Sequence, residues 1–140
     1  MYSENEKRRI RRVSRPDFFP DTTWSDAKDG FFESLIQSRF NCTILDICEG
    51  GLGFLTDSLP DTGQYVDVLI GYKEYKAFSI RFRVRYTHAI PFRIIENDQP
   101  SGETTLFRVG CELDTSMTNN IELFRKACRR AETDDALERS

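Results

Sequence analysis

The stretch RFNCTILDICEGGLGFLT, residues 39–56, indicates the fold class of this chain. Phe40, Cys42 and Ile44 alternate with polar side chains, which is typical of a strand that buries one face. A glycine-rich break follows, and a second apolar run begins at Leu52. The stretch therefore predicts two successive strands separated by a glycine-rich turn.

Similar signals continue along the chain. Residues 60–63 (PDTG) form a turn signal, because proline restricts φ and glycine accepts a positive φ. Strands are predicted over 64–70, around 80–86 and over 104–113, with a long hairpin tip over 97–102. Several short strands without intervening helices indicate an antiparallel barrel or sandwich.

The clearest alternation predicts which face of one strand is buried. Its inward positions are Ile80, Phe82, Val84 and Tyr86, and its outward positions are Arg81, Arg83 and Arg85. A row of arginines could bind phosphate or RNA, but it is more often the solvated side of an antiparallel strand. We interpret the row as solvated, and His88 as a loop or strand-end residue without a special role.

One helix is predicted near the C-terminus, over 118–133. Asn119 and Glu122 have the spacing of an N-terminal capping box. The apolar face recurs at helical spacing and consists of Ile121, Phe124, Ala127, Cys128 and Ala131. The polar residues 134–140 are predicted to be a tail that frays.

The segment 20–38 is ambiguous in its secondary structure. Phe31, Phe32, Leu35 and Ile36 fit one face of a helix, while Gly30 and the polar surroundings allow a loop followed by a strand. Between the two, we favour a strand that begins at Phe31.

Charge is distributed unevenly along the chain. The 140 residues have a formal charge of −3 and a pI near 5.3, which argues against a dedicated DNA-backbone binder. Residues 1–15 hold six basic and two acidic side chains, a net +4, whereas the remainder holds 14 and 21, a net −7. We predict a single domain over 1–140, with a flexible basic arm over 1–15 ahead of a β-barrel over 16–117.

The sequence also excludes several classes of protein. No apolar run approaches the roughly 20 residues that span a bilayer, so we expect no membrane insertion. The N-terminus is polar and then rich in arginine, unlike a secretory signal, and we expect a cytoplasmic protein.

Catalytic motifs are missing from the chain. It has one histidine, no G-x-S-x-G elbow and no Walker loop, and the glycines at 50–53 precede a strand rather than a phosphate-binding helix. Cys42, Cys111 and Cys128 are interpreted as small buried apolar residues, and no zinc-ligand spacing exists. We expect neither an enzyme nor a metal or other cofactor.

Two groups of residues could recognise a nucleotide. The cluster at 7–13 (KRRIRRV) contains guanidinium groups, which pair with phosphates and with the O6/N7 edge of guanine. Asp46 lies near the end of the predicted strand over 39–48, where its side chain points opposite to that of Ile47, and it could accept hydrogen bonds from guanine N1–H and N2–H₂. Taken singly, the cluster has a simpler explanation as a solubilising tail and Asp46 as a turn cap.

The order of these groups changes that interpretation. The chain resembles the PilZ domain in three motifs that occur in this order. They are Arg8-Arg9-x-x-Arg12-Val13, a strand that ends in Asp46-x-Cys48-x-x-Gly51, and Val109-Gly110-Cys111 before a final helix. The resemblance implies a mainly β, six-stranded antiparallel barrel that binds the bacterial second messenger cyclic di-GMP.

By this resemblance, each motif residue has an implied role. Arg8 and Arg12 are the paired arginines that contact the ligand, and Arg9 is an accessory contact. Asp46 and Cys48 read a guanine base, and the arm wraps around the ligand when it binds. Gly51 permits the turn.

The chain departs from the usual PilZ pattern in two ways. Cys48 stands where the family usually has serine, and the stretch from Arg12 to Asp46 is longer than usual. Arg11 and Arg15 offer a second arginine pair, but Val13 directly follows Arg12 as in the family pattern, so we prefer the pair of Arg8 and Arg12.

Three functional hypotheses follow. The first is a cyclic di-GMP receptor that presents a changed surface to a downstream protein partner. The second is an interaction adaptor with the same fold that does not bind cyclic di-GMP. A nucleic-acid binder is the third, and the acidic body argues against DNA or RNA as a partner.

Overall fold

The described part of the chain contains a short 3-10 helix, six strands and one long helix. A computed structural model of the protein describes residues 12–27, 38–73, 75–116 and 120–139. The elements are a 3-10 helix at Pro16–Phe18, β1 Thr23–Asp26, β2 Phe40–Cys48, β3 Gly51–Thr56, β4 Tyr65–Ile70, β5 Phe78–Glu96, β6 Gln99–Leu113 and α1 Ile121–Arg139. None of the helices in these ranges has the length and hydropathy of a membrane span.

The strands close into a ring in the order β1-β2-β3-β6-β5-β4, with β4 returning to β1, so that they form a closed barrel. Every pairing around the ring is antiparallel. The prediction of a mainly β, six-stranded antiparallel fold with a C-terminal helix is confirmed.

Alternation along the strands fills the barrel with apolar side chains, as the period-two pattern predicts. On β4, Val66, Val68 and Ile70 are fully buried, and Phe82 is buried beside them on β5. The helix α1 packs against β5, and its Phe124 ring meets Phe82 edge-on with centroids 5.3 Å apart.

The helix α1 is longer than predicted. We expected a helix over 118–133 and a fraying tail over 134–140, but α1 runs from Ile121 to Arg139. Asp134 accepts hydrogen bonds from the Tyr72 hydroxyl and, at 2.9 Å, from Lys73 Nζ, and Asp135 is buried as well. The last turns are therefore held by polar contacts to distant residues, which composition alone does not indicate. The predicted cap Asn119 lies outside the described residues.

The β5–β6 hairpin is also tighter than predicted. The expected tip over 97–102 is reduced to Asn97 and Asp98, because Glu96 already pairs with Gln99. Both tip residues have positive φ, 51° and 63°, as a two-residue type I′ turn requires. Consequently His88 lies within β5, paired with Arg108, and not at a strand end.

The region that the sequence left ambiguous is only partly described. Residues Thr23–Asp26 form β1, and the Trp24 indole N–H donates to Thr56 Oγ1 at 2.9 Å in the core. The strand predicted from Phe31 lies outside the described residues.

Candidate functional site

The last residues of the predicted arm belong to the body of the protein. Val13 exchanges backbone hydrogen bonds with Ile47 on β2, at 2.8 and 3.0 Å, and its side chain is buried. This bridge attaches the chain to the barrel at residue 13, within the range 1–15 that was predicted as the arm. Arg8 and Arg9 lie outside the described residues, so their roles stay predictions.

Because Val13 pairs with Ile47, Arg12 lies against the side chains of Asp46 and Cys48, the two neighbours of Ile47 on β2. Arg12 Nε and Nη2 donate to Asp46 Oδ1 at 3.0 and 2.5 Å, and Nη1 donates to Cys48 Sγ at 3.4 Å. The structure thus brings together three of the six predicted site residues.

This cluster is partly shielded from water. The side chain of Asp46 is 14% exposed and that of Arg12 is 50% exposed, while Cys48 is buried. Burial alone lowers the pKa of Arg12, but the hydrogen bonds to Asp46 and the nearby Cys48 outweigh it, and the pKa lies above its ordinary value. Arg12 is consequently a permanent cation.

Gly51 has a different role from the one predicted. It pairs with Cys48 at the end of the β2–β3 hairpin, but neither it nor Gly50 has a positive φ. A Cβ atom at Gly51 would lie 2.1 Å from the Cys111 carbonyl oxygen on β6. Glycine is required here for the close approach of β3 to β6, not for the turn.

A second arginine joins the cluster from β6. Arg108 Nη2 donates to Asp46 Oδ2 at 3.4 Å, so the carboxylate lies between two guanidinium groups. Our sequence interpretation missed Arg108. Its position one residue before the Val109-Gly110 motif is the only local signal that could have indicated it.

An exposed aromatic ring borders the same cluster. The predicted alternation places Tyr86 in the core, but a register shift between Val84 and Tyr86 turns it outward, and it is 42% exposed. The ring lies over Gly110, where a Cβ atom would approach Tyr86 Cε1 to 2.1 Å. His88 is the next neighbour, with ring centroids 5.2 Å apart.

The arrangement suits recognition more than covalent chemistry. Two guanidinium groups can pair with anionic oxygens, one carboxylate can accept from a donor edge, and one exposed ring can stack on a flat base. Within the described ranges no three metal-ligating side chains form a group. Burial raises the pKa of the Cys42 and Cys111 thiols to about 12, and it also raises that of Cys128.

Known structures share this architecture. No protein-family model and no curated protein sequence matches the chain. Among solved structures, the PilZ domain of Escherichia coli YcgR with c-di-GMP aligns with a TM-score of 0.63 at 13% identity, over 94% of this chain and 96% of that chain. The chain has the PilZ fold. The resemblance drawn from the motifs is confirmed at the level of fold.

Two further PilZ-fold neighbours are longer than this chain. The K. pneumoniae MrkH–c-di-GMP complex aligns with a TM-score of 0.58 at 15% identity, over 93% of this chain and 52% of that chain. Another structure of E. coli YcgR in complex with c-di-GMP gives a TM-score of 0.56 at 17% identity, over 95% and 49%. The chain thus spans about half the length of these two proteins.

Proposed function

We propose that this chain is a cyclic di-GMP receptor and not an enzyme, and that Arg12, Asp46 and Cys48 form the centre of its ligand site. The observation that carries the proposal is the contact of Arg12 with both Asp46 and Cys48, at the junction between the arm and β2. The motif residues that are far apart in sequence meet on one surface of a PilZ fold. Arg8 and Arg9 would complete the site from the arm.

Binding requires Arg12 to exchange partners. In the structure its guanidinium occupies Asp46 Oδ1, the atom that would accept from a guanine base. When cyclic di-GMP binds, guanine N1–H and N2–H₂ replace the guanidinium on Asp46, and Arg12 turns to the phosphates. Arg108 stays at Oδ2 and holds the carboxylate in position throughout the exchange.

Tyr86 offers a stacking surface next to this exchange. Its ring is half exposed and lies close to the backbone of Gly110 on β6, where any larger residue would collide with it. A guanine whose edge is held by Asp46 could stack on this ring, and stacking is worth about 1–3 kcal/mol per base.

NMR titration tests whether the site takes the ligand. With cyclic di-GMP, we expect amide shifts to concentrate at residues 12–15 and 46–51, with smaller changes on α1. The Arg12→Ala variant should show much weaker shifts at the same ligand concentration, whereas Arg125→Ala, which removes a cation on α1 that pairs with Glu122 at 3.2 Å, should match the wild type. Shifts spread evenly over the barrel would contradict the site.

The adaptor hypothesis is supported by one specific observation. Asp46 is already satisfied by two arginines, and Cys48 is a weaker hydrogen-bond partner than the usual serine, so the cluster is stable without a ligand. An adaptor would show no NMR shifts even with millimolar cyclic di-GMP. A receptor would saturate far below that concentration.

A further inference from the structure

A cleft separate from the arginine cluster lies between the start of β5 and the helix α1. Its volume is about 830 Å³, within the range of roughly 300–1,000 Å³ that is typical of small-molecule sites. The apolar surface comes from Phe78, Leu123 and Ala127, with Tyr75 as a side wall. Leu123 is 49% exposed, so a large apolar side chain faces the open cleft.

The walls of this cleft are held in place by contacts outside it. Tyr75 stacks on Tyr72 with centroids 5.9 Å apart, and the Tyr72 hydroxyl donates to Asp134. At the other end, Asn120 Nδ2 donates to the Ser79 carbonyl at 2.7 Å and links α1 to β5. The cleft is therefore formed before any ligand enters.

The described residues that line the cleft carry basic or neutral polar groups. Four of them are cations, Lys76, Lys126, Arg129 and Arg130, and none of these described lining residues is a carboxylate. Arg129 pairs with Glu49 at 3.0 Å and Arg130 with Asp134 at 3.4 Å, both outside the lining. The two lysines have no ion pair with any of the described residues. In a chain of net charge −3, this is a local concentration of positive charge on an apolar surface.

We propose that the cleft binds a small amphipathic acid, in which an apolar acyl or aromatic body covers Leu123 and Phe78 while an acid group pairs with Lys126 or Lys76. The concave shape favours a discrete molecule over a flat membrane surface. The apolar floor favours an acid with a hydrophobic body over a fully polar anion such as phosphate, which would leave that floor exposed.

Dye displacement tests this site. Anilinonaphthalene sulfonate, an aromatic acid, should bind to the protein with increased fluorescence, and dodecanoate should displace it. Dodecyltrimethylammonium, which has the same chain and the opposite charge, should displace it at least tenfold less well, and inorganic phosphate should not displace it. Equal displacement by the two surfactants would overturn the proposal, because it would show that charge has no part in binding.

Variants locate the binding. Leu123→Asp should weaken dodecanoate binding at least tenfold, and Leu137→Asp, at an exposed position of the same helix away from the cleft, should not. Lys126→Glu should weaken binding about fivefold, and its neighbour control Arg125→Glu should leave it unchanged. Thermal unfolding checks that all four variants fold. The proposal is wrong if Leu123→Asp and Lys126→Glu are folded and bind dodecanoate like the wild type. It is also wrong if a synthetic acidic peptide displaces the dye and dodecanoate does not.

Discussion

Asp46 is the residue at which the arm, the β2 strand and the β6 strand meet. It accepts from Arg12 at 3.0 Å and from Arg108 at 3.4 Å, and only about one seventh of its side chain is exposed. The carboxylate is thus fixed in position, which reduces the ordering cost of accepting a base.

Cys48 is the residue at which ligand affinity can be raised. A hydroxyl is a stronger donor and acceptor than a thiol, and it has a similar size. We expect Cys48→Ser to bind cyclic di-GMP as well as the wild type or a few times more tightly, as measured by calorimetric titration. A loss of binding in a folded Cys48→Ser protein would mean that the thiol itself contacts the ligand in a way that oxygen cannot replace.

Gly51 and Gly50 form a matched pair for stability. A Cβ atom at Gly51 meets the Cys111 backbone at 2.1 Å, while one at Gly50 meets nothing within 4 Å. Gly51→Ala should therefore lower the free energy of unfolding by about 2–3 kcal/mol, because β3 must move away from β6. Gly50→Ala should change it by less than about 0.5 kcal/mol. Urea denaturation measures both, and equal effects would contradict the close-approach role of Gly51.

Among the elements, α1 depends most on contacts that are distant in sequence. Its last turns are connected to the N-terminal segment, where Arg15 Nη1 lies 3.3 Å from Asp135 Oδ1, and to the β4–β5 loop, where Lys73 contacts Asp134. The segment that carries Arg12 and the helix that lines the cleft therefore share a polar network. A ligand that moves residues 12–15 would therefore alter the contact of Arg15 with Asp135 at the end of α1.

The pH dependence of stability reports this network. Hydrogen bonds from Lys73 and Tyr72 hold the pKa of Asp134 below its ordinary value of 3.8. The unfolded chain therefore binds a proton first as the pH falls, so the stabilisation is complete above about pH 4 and is lost as the pH decreases through the lower folded pKa.

Asp134→Asn tests this contribution. The variant should have a lower thermal midpoint than the wild type at neutral pH, and the difference should shrink in acid as the wild type loses the ion pair. Asp98→Asn, at the exposed hairpin tip, serves as the control and should follow the wild-type profile. A constant difference between Asp134→Asn and the wild type at every pH would contradict the role of the charge.

Elements with strong periodicity could be predicted, and those that depend on register could not. The strands β2, β3 and β4 follow from alternation and turn residues, as does the existence of α1. The four-residue strand β1 was missed because it is too short to show a period. Alternation predicts that Tyr86 is buried, but the register shift between Val84 and Tyr86 in β5 turns its side chain to the other face. The sequence pattern gives no sign of such a shift.

The candidate site was predictable only in part, for the same physical reason. The spacing of Arg12, Asp46 and Cys48 matches a motif, and these residues meet in the structure. Arg108 lies 62 residues from Asp46 in sequence and reaches it only because β3 and β6 pair with Leu55 opposite Arg108. A contact that depends on which strands pair, such as that of Arg108 with Asp46, can be predicted only once the fold is known.

For the whole molecule, the division of charge sets which anions can bind. A net +4 over residues 1–15 precedes a remainder of net −7, so positive charge is local and the body repels a long polyanion. We expect cyclic di-GMP to bind in physiological salt and generic single-stranded RNA to show no appreciable binding there. Fluorescence anisotropy with a labelled RNA measures this, and tight, strongly salt-dependent RNA binding would favour the nucleic-acid hypothesis instead.

Calorimetric titration with cyclic di-GMP tests the central claim most directly, because it gives affinity and stoichiometry together. A bidentate arginine contact contributes roughly 1–3 kcal/mol, so Arg12→Ala should bind at least about tenfold more weakly than the wild type. Arg125→Ala, which removes a cation that pairs within α1, should bind with wild-type affinity. Equal affinities for the wild type and Arg12→Ala would contradict the site, and no heat of binding in any of the three proteins would contradict the receptor function.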